Sequence, residues 1–157
     1  MIRAARADDH DAIVAVTRAA FNGEEKALRI VREIEPEISL VWDEDGAVVG
    51  HTMLSRMTMG DHRPLQLSPL SVAPSHQGQG IGSALTREAL RLADEAGEPL
   101  VLLLGHPSYY PRFGFEPALP LGLVAASGEY GDAWMAAKLS AYDPSYRGTV
   151  VFPPAFA

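Results

Sequence analysis

The run Pro99–Leu104, PLVLLL, constrains the fold more than any other stretch of the chain. It shows no alternation of apolar and polar residues, the pattern of a strand buried on both faces, as parallel strands are when crossover helices cover them. Immediately upstream, Ser83–Ala96 carries Leu85, Ala89, Leu92 and Ala96 on one helical face, with Gly97 as its stop. Before that, Pro64–Ala73 reads as another strand. A strand–helix–strand unit over Pro64–Leu104 follows, and such a crossover is right-handed.

Elsewhere the period of the apolar residues assigns the elements. Ile2–Ala4 is a short strand. Asp8–Phe21 is a helix, with Ile13, Val16 and Ala20 on one face behind acidic N-terminal residues. Asn22–Glu35 is a second helix, with Leu28, Val31 and Ile34 aligned and Pro36 ending it. Ile38–Asp43 and Ala47–Met59 are strands, with DEDG and GDHR as the turns that follow them. A helical turn at Ser108–Phe113 and a strand at Ala133–Leu139 come last. The order is that of a mixed α/β fold. A chain of 157 residues without repeat, linker or low-complexity tract is expected to form one domain, residues 1–157, with a sizeable core.

Composition excludes several classes of function. No apolar run is long enough to span a bilayer, and the start MIRAARADDHDAI has no signal-peptide core, so no membrane partner and a cytoplasmic location are expected. The absence of cysteine rules out disulfides, thiolate metal sites and a cysteine nucleophile. A net charge of −7 argues against nucleic acid, whose phosphates need clustered Lys and Arg. His10 and His62 show no metal-ligand spacing, and no metal is expected.

The segment SHQGQGIGSAL, Ser75–Leu85, places three glycines just before the helix of the crossover. Each glycine costs roughly 0.5–1 kcal/mol of backbone entropy relative to alanine. A helix start exposes unpaired N–H groups and partial positive charge, and this one has no acid before Glu88, so it suits an anion. A tight glycine turn without a ligand explains the glycines equally well. Two nucleotide readings fail: no Lys-Ser/Thr pair follows as a P-loop needs, and G-x-G-x-x-G matches from neither Gly78 nor Gly80.

Gln77-x-x-Gly80-x-Gly82 resembles the acyl-CoA pyrophosphate loop of the GCN5-related N-acetyltransferases (GNAT). Tyr109–Phe115, YYPRFGF, is similar to the aromatic-Tyr-x-x-x-Gly-Phe segment of the same family. Together LSPLSVAPSHQGQGIG, GHPSYYPRFGFEPA and the tail GTVVFPPAF look most like its YhbS-type branch. The element order agrees along nearly the whole chain. The resemblance implies a mostly antiparallel sheet flanked by helices, with the two central parallel strands splayed. It implies acetyl-CoA as acyl donor, its pantetheine arm against the backbone of Leu70, Ser71 and Val72. Its pyrophosphate would take N–H groups of Gln77, Gly78, Gln79, Gly80, Ile81, Gly82 and Ser83. His106, Tyr110 and Phe113 would line the donor, although His106 fits helix capping as well. Pro69, which cannot donate to a ladder, agrees with an interrupted strand.

The family reaction is direct attack of an amine on the thioester, with backbone N–H groups polarising the carbonyl. Tyr110 takes the general-acid position. A phenol near ~10 and a thiol near ~8.5 make that proton transfer only slightly uphill; Tyr109 reads as packing. Many relatives carry a Glu on the fourth strand as base, whereas PLQLSPLSV has no acid. Glu25 is the candidate base, directly or through water, the other reading being a solvated residue of the EEK run. His51 reads either as an acceptor-side contact or as a structural histidine. Glu24 and Glu25 favour a cationic amine as acceptor. A non-catalytic acyl-CoA-binding or regulatory module and a different acyl donor are the alternatives, and a homodimer is left open.

Overall fold

The computed structural model describes residues 1–157. Helices α1 (His10–Ala20) and α2 (Glu25–Glu33) follow the apolar spacing, burying Ile13, Val14 and Val16 from one and Leu28, Ile30 and Val31 from the other. Both are shorter than their sequence pattern. A 3₁₀ turn over Ala7–Asp9 precedes α1. There the Asp9 carboxylate accepts two hydrogen bonds from the Arg3 guanidinium, at 2.7 and 2.9 Å, and one from the Arg6 N–H at 2.7 Å. These bonds hold the carboxyl well below the usual carboxylate range. Asn22 and Gly23 adopt positive φ (51° and 76°), so α2 starts at Glu25 and not at Asn22. It closes ahead of Pro36, which disfavours the helical conformation at Glu35.

The strands are β1 (Ile2–Ala4), β2 (Ile38–Glu44), β3 (Ala47–Arg56), β4 (Leu65–Val72), β5 (Leu100–Leu104), β6 (Phe115–Pro117), β7 (Leu123–Ala125), β8 (Trp134–Lys138) and β9 (Gly148–Val150), with α3 (Ile81–Glu95) between β4 and β5. Seven of them hydrogen-bond in the order β1-β2-β3-β4-β5-β8-β6, while β7 and β9 form a separate parallel pair. In the larger sheet β4 and β5 are parallel, and β1–β2, β2–β3, β5–β8 and β6–β8 are antiparallel. The expected mixed α/β, mostly antiparallel architecture is what the chain adopts. Residue contacts group into two compact units. One comprises Met1–Ser55, Ser68–Ala89 and Ala155–Ala157, the other Arg56–Leu67 and Leu90–Pro154, so the boundaries fall inside β3, β4 and α3.

In the first unit Val41 of β2 packs with Ile13, Val14, Leu28 and Val31 of the two helices. Side chains alternate along a strand, so Gly50, one residue before His51 on β3, faces the other way. A Cβ there would stand 2.8 Å from Ile81 Cγ2 and 3.1 Å from Leu85 Cδ1, which is why α3 approaches the sheet so closely at a glycine. β4 runs without a break through Pro69, whose carbonyl accepts from Thr52 Oγ1 at 3.0 Å. The Ser68–Pro69 peptide is cis. The strand is continuous, but its ladder to β5 ends at Gln66, so the interruption expected at the proline lies in the pairing.

In the second unit the PLVLLL run is β5, with Leu100, Val101, Leu102 and Leu103 each at most 1% exposed. It lies between the start of β4 and all of β8. Its parallel pairing with β4 consists of Leu65↔Val101 and Gln66↔Leu102, whereas the antiparallel pairing with β8 runs from Leu100↔Lys138 to Leu104↔Trp134. Trp134 buries its ring and satisfies its Nε1–H with the Leu123 carbonyl at 2.9 Å.

Candidate active site

The glycine loop lies in the first unit. β4 ends at Val72, a 3₁₀ turn spans Pro74–His76, and α3 begins at Ile81, two residues earlier than the sequence pattern suggests. Gly78 and Gly80 have φ of +79° and +85°, and a Cβ on either would meet nothing within 4 Å. Their surface is therefore open, and glycine serves there for its left-handed backbone. The Gly80 carbonyl already accepts the Ala84 N–H at 3.0 Å, so the first turn of α3 is formed. No acidic side chain stands in that turn to cancel its partial positive charge.

Two side chains of this segment have structural duties that the sequence did not reveal. Gln77 Nε2 donates to the Val72 carbonyl at 3.0 Å, tying the loop back to the end of β4. Ile81 is buried, with Cγ2 in the space Gly50 leaves, so only its backbone is offered to a ligand. On β4, Leu70 and Val72 are half-buried, while Ser71 is fully buried and its Oγ has no hydrogen-bond partner. Such an unpaired buried hydroxyl costs about 1–3 kcal/mol.

Glu25 is the first residue of α2 and is exposed. His51 is 1% exposed, and its Nε2 lies 3.1 Å from Ser39 Oγ. Burial pushes its imidazole down to about 4, so the ring is neutral at neutral pH. An unfolded chain takes up this proton near ~6.5 and the native state only near 4, so stability falls as pH drops through that window, by up to about 3 kcal/mol. Asp9 and Asp43, whose carboxyls are held low by Arg3, lose their contribution only at lower pH. Urea denaturation between pH 7 and 4.5 is expected to show this loss in the parent and a flatter profile in His51→Gln. Parallel profiles would contradict it.

His106, Tyr110 and Phe113 belong to the second unit. His106 is exposed, and its carbonyl accepts the N–H groups of Tyr109 and Tyr110 at 3.1 and 3.4 Å, opening the 3₁₀ turn Tyr110–Phe113 that Gly114 (φ +93°) closes. Tyr110 packs edge-on against Tyr109 and Phe115, with centroids 5.0 and 5.7 Å away. Tyr109 lies under the Arg112 guanidinium at 4.6 Å, which agrees with a packing role. A Cβ on Gly105 would lie 2.4 Å from Tyr110 Cε2, so a glycine at 105 is what lets the Tyr110 ring sit where it does. The sequence carried that signal as the glycine ending LLLG, but without coordinates nothing linked it to Tyr110.

Burial, then the neighbouring Tyr109, pushes the Tyr110 hydroxyl up to about 12. This corrects the expectation of a nearly level proton transfer. Against a thiol near ~8.5 the gap is roughly 3.5 pH units, about 5 kcal/mol for complete transfer. The phenol is held firmly in its protonated, donating form. No group of three or more His, Asp or Glu that could hold a metal ion occurs in the structure.

Residues 1–118 match the acetyltransferase (GNAT) domain model. The chain is 36% identical to the N-acetyltransferase YjhQ of Escherichia coli K12, over 73% of this chain and 68% of that protein. Among solved structures it superposes on E. coli YhbS in complex with CoA with a TM-score of 0.90, at 26% identity over 99% of this chain and 91% of that one. A GNAT family acetyltransferase from Brucella melitensis in complex with acetyl-CoA gives 0.80, at 33% identity over 100% and 97%. The open glycine loop before α3, the aromatic turn after β5 and these matches agree: the chain belongs to the GNAT family of acetyltransferases and is an acyltransferase.

Proposed function

We propose that residues 1–157 act as one catalytic domain in the cytoplasm, moving an acetyl group from acetyl-CoA directly to a primary amine of a small molecule or peptide. The observation that carries this reading is the loop Gln77–Ser83, an open cradle of left-handed glycines running into a helix start with no acid in its first turn. It suits a pyrophosphate, and the E. coli and Brucella relatives hold CoA and acetyl-CoA. Loop N–H groups would hold the phosphates, and the backbone of Leu70, Ser71 and Val72 would orient the pantetheine arm, with His106 and Phe113 beside it.

In the reaction the amine nitrogen forms a bond to the thioester carbon, the C–S bond breaks, the amine gives up one proton and the sulfur gains one. Tyr110 donates to the departing sulfur. Its raised pKa makes it a poor source of a fully transferred proton and a dependable hydrogen-bond donor, so the sulfur leaves as a hydrogen-bonded thiolate and takes its proton from solvent. Glu25 takes the amine proton, directly or through water; its exposure at the start of α2 suits relay to solvent. The acidic pair Glu24–Glu25 supports a cationic acceptor. A thiol-release assay with acetyl-CoA against amines, polyamines, aminoglycosides and peptides, with products identified by mass spectrometry, tests the reading. N-acetylated products are expected. Exclusive O-acetylation, or donor binding without transfer to any amine, contradicts it, the latter in favour of a binding module.

A further inference from the structure

A cavity of about 540 Å³ lies within the first unit, walled by the start of α1, the end of α2 and the β2–β3 strands. It stands at the end of the helix pair away from the turn at Asn22–Gly23, and therefore away from Glu25. No residue of the donor segment 70–83 lines it. We propose that this cavity is a second ligand site, for a small carboxylate with an aliphatic body.

Its size is that of small-molecule sites, about 300–1,000 Å³. The body of a ligand would meet Ile13, Val31, Ile34 and Met53. The ionic groups on the wall are Arg6 and Arg32 against the single carboxylate Glu35, with His10 beside them, so the cavity is cationic in a protein whose net charge is −7. Arg6 makes a long, exposed contact to Asp8 at 3.9 Å and lies within the field of Asp9 and Asp43. His51 and Ser39 supply neutral polar groups. The His51 ring uses Nε2 toward Ser39, while its buried Nδ1 has no partner. The His51 ring lines the cavity, so a ligand seated there changes the ring's surroundings.

Calorimetry of the full chain with 4-methylpentanoate, and with 4-methylpentan-1-ol as its uncharged counterpart, tests the site. The carboxylate is expected to bind saturably and about tenfold more tightly than the alcohol. Arg32→Glu, an exposed change on the wall, is expected to weaken it about tenfold, and Arg32→Lys to retain most of the affinity. The His51 ring signals in NMR should move in step with the calorimetric curve. Gly80→Asp should leave carboxylate binding unchanged, which separates this site from the donor loop. The proposal is overturned by equal affinity for acid and alcohol, by no binding up to the solubility limit, by a silent His51, or by loss of binding in Gly80→Asp.

Discussion

Tyr110→Phe is expected to slow acetyl transfer by roughly 10²–10³-fold, about 3–4 kcal/mol of barrier, with acetyl-CoA affinity nearly unchanged. The substitution removes one oxygen and keeps the ring, so the edge-on contacts to Tyr109 and Phe115 and the slot above Gly105 are preserved. Stability below pH 10 should therefore stay close to that of the parent. Charge develops on the sulfur only as the C–S bond breaks, so a donor aimed there acts on the rate and not on ground-state binding. Because burial holds the hydroxyl up to about 12, ionisation of Tyr110 should not cut the rate below pH 11. Single-turnover transfer within about twofold of the parent would make Tyr110 a packing residue and send the search for the sulfur's donor elsewhere.

Much of the fold was legible because single segments settle it. Leu100–Leu103 has to be buried on both faces, and the structure leaves each of these residues at most 1% exposed, with β4 and β8 as lateral neighbours. The glycine loop was legible for the same reason: its meaning depends on what directly follows it. Element ends were less so. The start of α3 at Ile81 depends on Gly50, a residue of another strand that makes room for the isoleucine. Strands β6, β7 and β9 have three residues each, too few to display a period, and all three escaped the pattern.

The chemistry divides the same way. Tyr110 was singled out by the motif around it, but its raised pKa arises chiefly from burial that no local stretch encodes. The cavity beside His51 is assembled from two helices, two strands and the segment after β1, and the sequence offered only a lone histidine. The base is the least legible element. β4 carries no acid, its polar side chains being Gln66, Ser68 and Ser71, and Glu25 rests on its exposed position at a helix start.

Calorimetric titration of acetyl-CoA into the parent and Gly80→Asp decides whether the loop before α3 seats the acyl donor. Gly80 sits at φ +85° with open space around its Cα, and Asp is among the residues that tolerate a left-handed backbone, so the variant should fold. The new carboxylate would stand where the pyrophosphate is held, and juxtaposed like charges cost several kcal/mol. Affinity is expected to drop at least about 100-fold, while Gly80→Asn, of the same shape without the charge, loses much less. Saturable binding of acetyl-CoA by a folded Gly80→Asp at the parent's affinity would contradict the account.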